Sequence, residues 1–347
     1  MSGTWTSQNK ILPGAYINFF TNAPLSITPG ERGIVVLLQE MSVGTAGDIY
    51  TVTARGNDYP AGVTAEDKQL ANEALKGAQT VLVYNLGTSH TPEALSDALD
   101  KLTTIKFNTL CYPYDGVDFA ANKSSIVTWI EALRTYDGVK VQAVLANQTA
   151  DAESVINVAN GIVLSSGTTL SAAQTTAWVA GVTAGASISQ SNTGRMYIDA
   201  IDVSPRMTKT EMEAAITAGK FIFKVNNAQN VSAVYDINSL TTVSAEKGEM
   251  FRKNRVVRTV DGINNDIVEI FESNFIGKVN NNNDGRSILR SYLIDYFNEL
   301  QRLSAIKNFT TEDVIVSEGA DSDAVVISCY IQPVDSVEKI YITVNLA

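Results

Sequence analysis

KGEMFRKNRVVRTVDGINNDIVEIFESNFIGKVNNNNDGRSILRSYLIDYFNELQRLSAI, residues 247–306, is the stretch that decides the fold reading. Its first dozen residues carry Lys247, Arg252, Lys253, Arg255 and Arg258 against one acid, Glu249. Residues 249–260 and 264–275 have the composition of helices. An Asn-rich loop over 280–284 leads into a helix over 286–303. The apolar stripe of that helix, Leu289, Leu293, Tyr296, Leu300 and Leu303, recurs at three- and four-residue steps. Asp284 reads as its N-cap. Phe309 opens a return to strands over 325–328 and 340–344. The last of these alternates with period two and runs almost to the final residue. A basic cluster, a capped amphipathic helix and a terminal strand do not build an active site. They suit a protein that binds copies of itself.

Upstream, the pattern changes. Apolar strands over 33–38, 80–84, 109–112, 141–145 and 162–164 alternate with helices over 65–76, 91–102 and 122–136 and a short helix over 152–157. Such alternation predicts an α/β layer with parallel strands. A helix over 208–218 ends at Gly219, and a strand over 220–225 follows. The run AAQTTAWVAGVTAGASI (172–188) is too short and too rich in Thr and Gly for a membrane span, and reads as a tightly packed helix. Near the start, Tyr16, Ile17 and Phe19 are strand-like after Pro13-Gly14, and a strand there needs a partner edge. The fold class expected is α/β plus α+β. An N-terminal arm (1–22) precedes an α/β layered domain (23–235), a C-terminal α+β core domain (236–332) and a C-terminal arm strand (333–347).

Length and composition agree with this division. The chain has 347 residues, which suggests two domains, with 45% hydrophobic and 18% charged residues, as in a folded globular protein. A formal charge of −11 disfavours nucleic acid as the main partner. The first ten residues have no apolar segment of signal-peptide type, and no membrane insertion is expected. Cys111 and Cys329 lie far apart with no CxxC or His/Cys grouping, so they read as two reduced thiols rather than a zinc site or a disulfide framework.

The candidate chemistry is thin. His90 is the only histidine, and it sits in a Gly-Thr-Ser turn before a helix, where one residue cannot define a triad. Ala218-Gly219-Lys220 superficially matches the end of a phosphate loop. Phe221 stands where Ser or Thr must hold magnesium, and the Gly-Lys pair ends a helix instead of beginning one. Asn280, Asn282 and Asp284 imitate half of a calcium loop whose twelfth position is Ser291, not Glu. Asp115 follows an apolar strand in CYPYDG (111–116), a position that can be catalytic in α/β sheets. It anchors the competing reading, an α/β enzyme or nucleotide-binding domain. No catalytic, cofactor-binding or metal-binding residue is expected, and no cofactor. The basic cluster is either a solvated face or a docking patch for an acidic surface on a partner, in which charge would set register and speed of association. Arg252, Lys253, Arg255 and Arg258, with Arg286 and Arg290 one turn apart on the last helix, are its candidates.

The phrases FRKNRVVRTVDGINND (251–266) and FIGKVNNNNDGRS (275–287) resemble the C-terminal region of tail sheath proteins of contractile phages and phage-tail-like bacteriocins, the short sheaths of Gram-positive prophages above all. The resemblance extends to LPGAYINF (12–19) and SPRMTKTEMEAAITAGKFIF (204–223). It implies a structural protomer, assembled in the bacterial host cytoplasm, that stacks as six-fold rings around an inner tail tube between a baseplate and a tail terminator. It also implies that N- and C-terminal arms exchange strands between subunits. Tyr16, Ile17 and Phe19 would lie on one arm, and Ile340, Ile342 and Val344 on the other. Contraction would run on energy stored in the extended assembly, without nucleotide.

Overall fold

The computed structural model describes residues 2–3, 15–16, 32–245 and 247–345. Eight strands form the main sheet: β1 (Ile34–Gln39), β2 (Ile49–Thr53), β3 (Gly56–Asn57), β4 (Thr80–Asn85), β5 (Thr109–Cys111), β6 (Gln142–Ala146), β7 (Val155–Val158) and β8 (Lys220–Phe221). Their order is β8-β7-β6-β5-β1-β4-β2-β3. The first six in that order are parallel, and β2 and β3 close one edge antiparallel. The central strands are largely apolar because both faces of the sheet are covered, with Gln39, Asn85, Thr109 and Gln142 as buried polar exceptions. Val35 and Leu37 of β1 point into one core, with α1 (Ala65–Leu75) and α4 (Ala172–Gly185). Val36 and Leu38 point into the other, with α2 (Pro92–Leu102) and α3 (Ala120–Thr135).

The 172–188 run is indeed a buried helix. Ala177, Trp178, Val179, Ala180 and Val182 are all within 1% of full burial. Its glycines allow α4 to lie on the end of α1 at backbone distance. A Cβ on Gly181 would stand 2.0 Å from the Ala74 carbonyl oxygen, and one on Gly185 1.8 Å from that of Gly77.

A short helix α5 (Lys209–Thr217) carries the Thr208–Glu211 capping box and stops at Gly219, whose φ of +68° suits a residue without Cβ. The C-terminal third is built on two long helices, α6 (Asn254–Asn274) and α7 (Asn283–Arg302). Leu289, Leu293, Tyr296 and Leu300 bury the stripe read from sequence, and Leu303 is half-buried. Leu293, Tyr296 and Leu300 pack with Ile263 of α6, Ile306, Phe309 and Val314. A hairpin of Val314–Glu318 and Val325–Cys329 lies against α7. The C-terminal part meets the α/β layer through neutral hydrogen bonds, as between Asn265 and the Lys140 backbone, and through a buried ion pair. Arg134 of α3 donates two hydrogen bonds, 2.7 and 3.0 Å, to the Asp261 carboxylate of α6, and both side chains are buried.

Several elements differ from the sequence reading. Residues 152–157 are not a helix. Val155–Val158 is β7, buried on both faces, and the turn before it is held by Asp151, whose carboxylate accepts from the Thr241 and Thr242 amides at 2.6 and 2.9 Å. The strand over 162–164 leaves the main sheet and joins Thr169–Leu170 and Ala200–Ser204 in a sheet of its own. The strand over 220–225 divides at Ile222. Lys220–Phe221 pairs with β7, and Phe223–Val225 pairs with Val231–Ala233. The helices over 249–260 and 264–275 are one continuous α6 after a short 3-10 turn at Glu249–Arg252. Gly262 does not break it, since a glycine in a helix interior costs only about 1 kcal/mol. The N-cap of α7 is Asn282, which accepts from the Gly285 amide at 2.8 Å, so Asp284 sits in the first turn. Strands β2 and β3 at the antiparallel edge have no counterpart in the sequence reading.

Candidate functional site: the C-terminal segment and its surroundings

Residues 340–344 make no ladder with any described residue. Ile340, Tyr341, Ile342 and Val344 are 73%, 89%, 79% and 74% exposed. Four large apolar side chains in five residues, in water and on unpaired backbone, mark an interaction segment. At the other end of the chain, Ala15–Tyr16 pairs in parallel with Ser2–Gly3, Tyr16 opposite Gly3. Ile17 and Phe19 lie outside the described residues.

The basic residues do not share an outward face, because each already has partners in the chain. Arg258 is the largest charged group in the interior, at 1% exposure. It donates to the Thr183 and Gln190 carbonyls at 3.2 and 2.6 Å and stands 3.5 Å from the Asp236 carboxylate. A residue so placed has no surface to offer a tube or a neighbour in this conformation. Arg255, also buried, donates to Ser336 Oγ at 2.6 Å and to the Ser304 carbonyl at 3.2 Å. Lys253 pairs with Asp335 and Glu338 and lies over the Tyr235 ring, 4.3 Å from its centroid. Burial, the largest single influence, opposes its charge, but the hydrogen bond it donates to Glu338 and its contact with Tyr235 together outweigh this and hold the ammonium above its ordinary range. Arg252 reaches the carbonyls of Ile216 and Thr217 at the end of α5, and Glu249 at 3.4 Å. Arg286 donates to Asn281 and Asn283, and Arg290 to the carbonyls of Val314 and Thr311. These last two therefore brace the 314–329 hairpin and the loop before α7. Sequence reasoning missed Asp335 and Glu338. Their signal was an acidic pair, spaced by three, just before the terminal strand.

The α/β layer has a switch point between β1 and β5, where the chain changes direction of winding, and ligands of open α/β sheets bind outside such points. Here side chains occupy it. The His90 ring, fully buried, has Nδ1 2.8 Å from Glu40 Oε1 and Nε2 2.7 Å from the Tyr112 hydroxyl. Phe119 stacks on the ring and Tyr114 packs beside it. Asn122 donates to the Tyr112 hydroxyl, and the Glu40 amide to the Tyr114 hydroxyl. Asp115 is engaged as well, by Lys123 Nζ at 2.5 Å and Asn147 Nδ2 at 2.6 Å. Partial burial pushes its carboxyl up, but these hydrogen bonds prevail and hold it below 3.8. A depressed folded-state value contributes stability above the unfolded one and loses it as pH falls through the folded one. Asp115→Asn is accordingly expected to lower the melting temperature at pH 6. The two proteins should converge only as the pH drops well below 3.8. Parallel melting curves across that range would show that the carboxylate carries no such linkage. Among the described residues, no group of His, Cys, Asp and Glu is placed to hold a metal, and no helix is long and apolar enough to cross a membrane.

Family models match most of this chain. The phage tail sheath protein central domain covers residues 61–239, the phage tail sheath C-terminal domain 246–347, and the tail sheath protein Gp18 domain III N-terminal region 32–86. The chain belongs to the phage tail sheath family. That family is structural and not enzymatic, which removes the competing enzyme reading beside Asp115. The chain is 30% identical to the tail sheath protein of Clostridium phage phiCD119, over 85% of this chain and 82% of that one. It is 32% identical to the phage-like element PBSX protein XkdK of Bacillus subtilis, over 87% of this chain and 66% of that one. A second Bacillus subtilis relative, YqbK, is spanned over only 58% of its length. The crystal structure of the sheath tail protein from Desulfitobacterium hafniense superposes with a TM-score of 0.82 at 35% identity, over 95% of this chain and 99% of that one. At 15% identity, the contracted helical sheath of the anti-feeding prophage shares the fold, with a TM-score of 0.70 over 97% of this chain and 99% of that one.

Proposed function

We propose that this sheath-family chain is the protomer of a contractile tail sheath in a phage or phage-like particle. It polymerises around an inner tube and contracts to drive that tube through a cell envelope. The observation that carries the reading is the exposed, unpaired apolar run at 340–344 on a chain with a sheath fold. Added to the edge of a neighbour's sheet, this run would exchange water for backbone hydrogen bonds, and its alternating side chains would set register. The hairpin of Val314–Glu318 and Val325–Cys329 is a suitable receiver, since neither of its outer edges is paired among the described residues. The arm containing Tyr16, Ile17 and Phe19 would serve a second neighbour in the same way. A head-to-tail contact of this kind propagates instead of closing on itself.

The reading divides the chain into arm (1–22), α/β domain (23–235), α+β core (236–332) and arm (333–347). Its partners are further copies in stacked six-fold rings, an inner tube, a baseplate and a terminator, with assembly in the bacterial cytoplasm. The contracted helical sheath of the anti-feeding prophage supplies the model for the assembly. Two packings of one subunit that differ by a few kcal/mol are enough when many copies switch together. The extended state persists because the barrier out of it is high.

The test is a chain ending at Lys339. Residues 340–344 are exposed, so their loss should change folding stability by no more than about 0.5 kcal/mol. Electron microscopy of the full chain should show rings or tubes, and the shortened chain should remain a folded monomer. Tubes of normal appearance from the shortened chain would overturn the strand-exchange reading.

A further inference from the structure

The terminal strand does not leave the body at Pro333, where the last short ladder ends. Five more residues are tied down first, by three separate parts of the chain. The Val334 amide donates to the Ala305 carbonyl just beyond α7, at 2.9 Å. Asp335 stands 3.2 Å from Lys253 Nζ, and Ser336 accepts from Arg255, both at the start of α6. Glu338 accepts from Ser191 Oγ at 3.1 Å and Thr193 Oγ1 at 2.6 Å, in the loop after α4, and pairs with Lys253. Its side chain is only 6% exposed. Two residues later the exposed run begins.

This attachment is polar. Of its two valines, Val334 is half-buried, and Val337 is 84% exposed and adds no packing. Burying a carboxylate costs free energy unless it is paired and hydrogen-bonded, and ordering a lysine costs rotamer entropy. A chain end that only had to stay in solution would keep Glu338 in water. Here four donors and one carbonyl are spent on holding residues 334–338 in one path. We propose that the Lys253–Glu338 pair, seated on Ser191 and Thr193, is a clamp that sets the pivot of the C-terminal arm at Lys339. The inference rests on the strand-exchange reading and specifies its geometry. From Lys339 to Val344 the extended chain spans roughly 20 Å, whereas from Val334 it would span roughly 35 Å. The clamp therefore shortens the tether, and tether length sets the effective concentration and spacing of the copies it joins.

Hydrogen exchange on the full-length, unassembled protein tests the clamp apart from assembly. Glu338→Ala and Lys253→Met should each accelerate exchange of the Val334 amide, which is bonded to the Ala305 carbonyl, by at least about tenfold, the factor that one charge-assisted hydrogen bond is worth. Peptides from α4 and α7 should not change in the Glu338→Ala protein, which alters an external segment and leaves the core intact. The charge-reversed pair Lys253→Glu with Glu338→Lys should recover slow exchange in part. In the microscope, Glu338→Ala should still assemble, with a wider spread of subunit spacing. Unchanged exchange in both single variants would overturn the clamp, whatever the assemblies look like. Faster exchange, combined with normal tubes from a chain ending at Lys339, would leave the clamp standing and remove the strand-exchange reading instead.

Discussion

Arg258→Ala should cost about 3–5 kcal/mol of folding stability, the usual consequence of removing one partner from a buried ion pair. The guanidinium is fully enclosed, and burial lowers its proton affinity while Asp236 opposes that shift. Asp236 is also the acceptor for the Asn192 amide and Asn254 Nδ2, both at 2.9 Å. Without Arg258 the carboxylate stays buried beside two neutral donors, and the carbonyls of Thr183 and Gln190 lose theirs. Urea unfolding should show a lower midpoint with an unchanged slope. A combined Arg258→Met and Asp236→Leu replacement should recover only part of the loss, because it removes the orphaned charge but leaves the Asn192 amide, Asn254 Nδ2 and the Thr183 and Gln190 carbonyls without these partners. A loss below about 1 kcal/mol in Arg258→Ala would mean that this pair is reached by water and that Arg258 is available to a partner after all.

The second large effect lies at the crossing of α1 and α4. Helix propensity alone says that Gly181→Ala should stabilise α4 by about 1 kcal/mol. The structure predicts the opposite sign. The new methyl would meet the Ala74 carbonyl oxygen at 2.0 Å, and backbone cannot rotate away as a side chain can. Helix separation in a packed core costs typically 1–3 kcal/mol, and a backbone clash belongs at or above the upper end of that range. Gly185→Ala should behave alike, with its methyl 1.8 Å from the Gly77 carbonyl oxygen. Gly262→Ala is the control. Its methyl would approach nothing nearer than the Ile188 Cδ1 at 3.2 Å, the end of a side chain and not backbone, so the propensity gain should survive there. Equal effects of these substitutions on the melting temperature would refute the close crossing.

The parts legible in the sequence were those with a local signature. The helices over 65–76, 91–102 and 208–218 were read as such, and Thr64, Thr91 and Thr208 prove to cap them, each within three residues of the donor it serves. Val35 to Leu38 are apolar on both faces and read as an interior strand without any knowledge of their neighbours. The stripe of α7 was visible for the same reason, and residues 251–266 and 275–287 carried the family resemblance in contiguous phrases. Residues 152–157 misled because the β-branched content that makes β7 a strand is confined to a few positions beside helix-favouring Ala152 and Glu153. Residues 220–225 misled because the change of sheet at Ile222 leaves no mark on an apolar run.

For the site, the sequence alone determined that no set of catalytic or metal-binding side chains was to be expected, and that an apolar, strand-like segment lay at the end of the chain. Which cations are interior, and which acids they hold, was decided by tertiary structure. Arg258 meets carbonyls 68 and 75 residues away, and Lys253 meets a carboxylate 85 residues away. Charge in a sequence is counted residue by residue, but burial and pairing depend on what the fold brings alongside. Five neighbouring basic residues could thus read as one surface, whereas packing had already divided them among the core, the helix ends and the clamp.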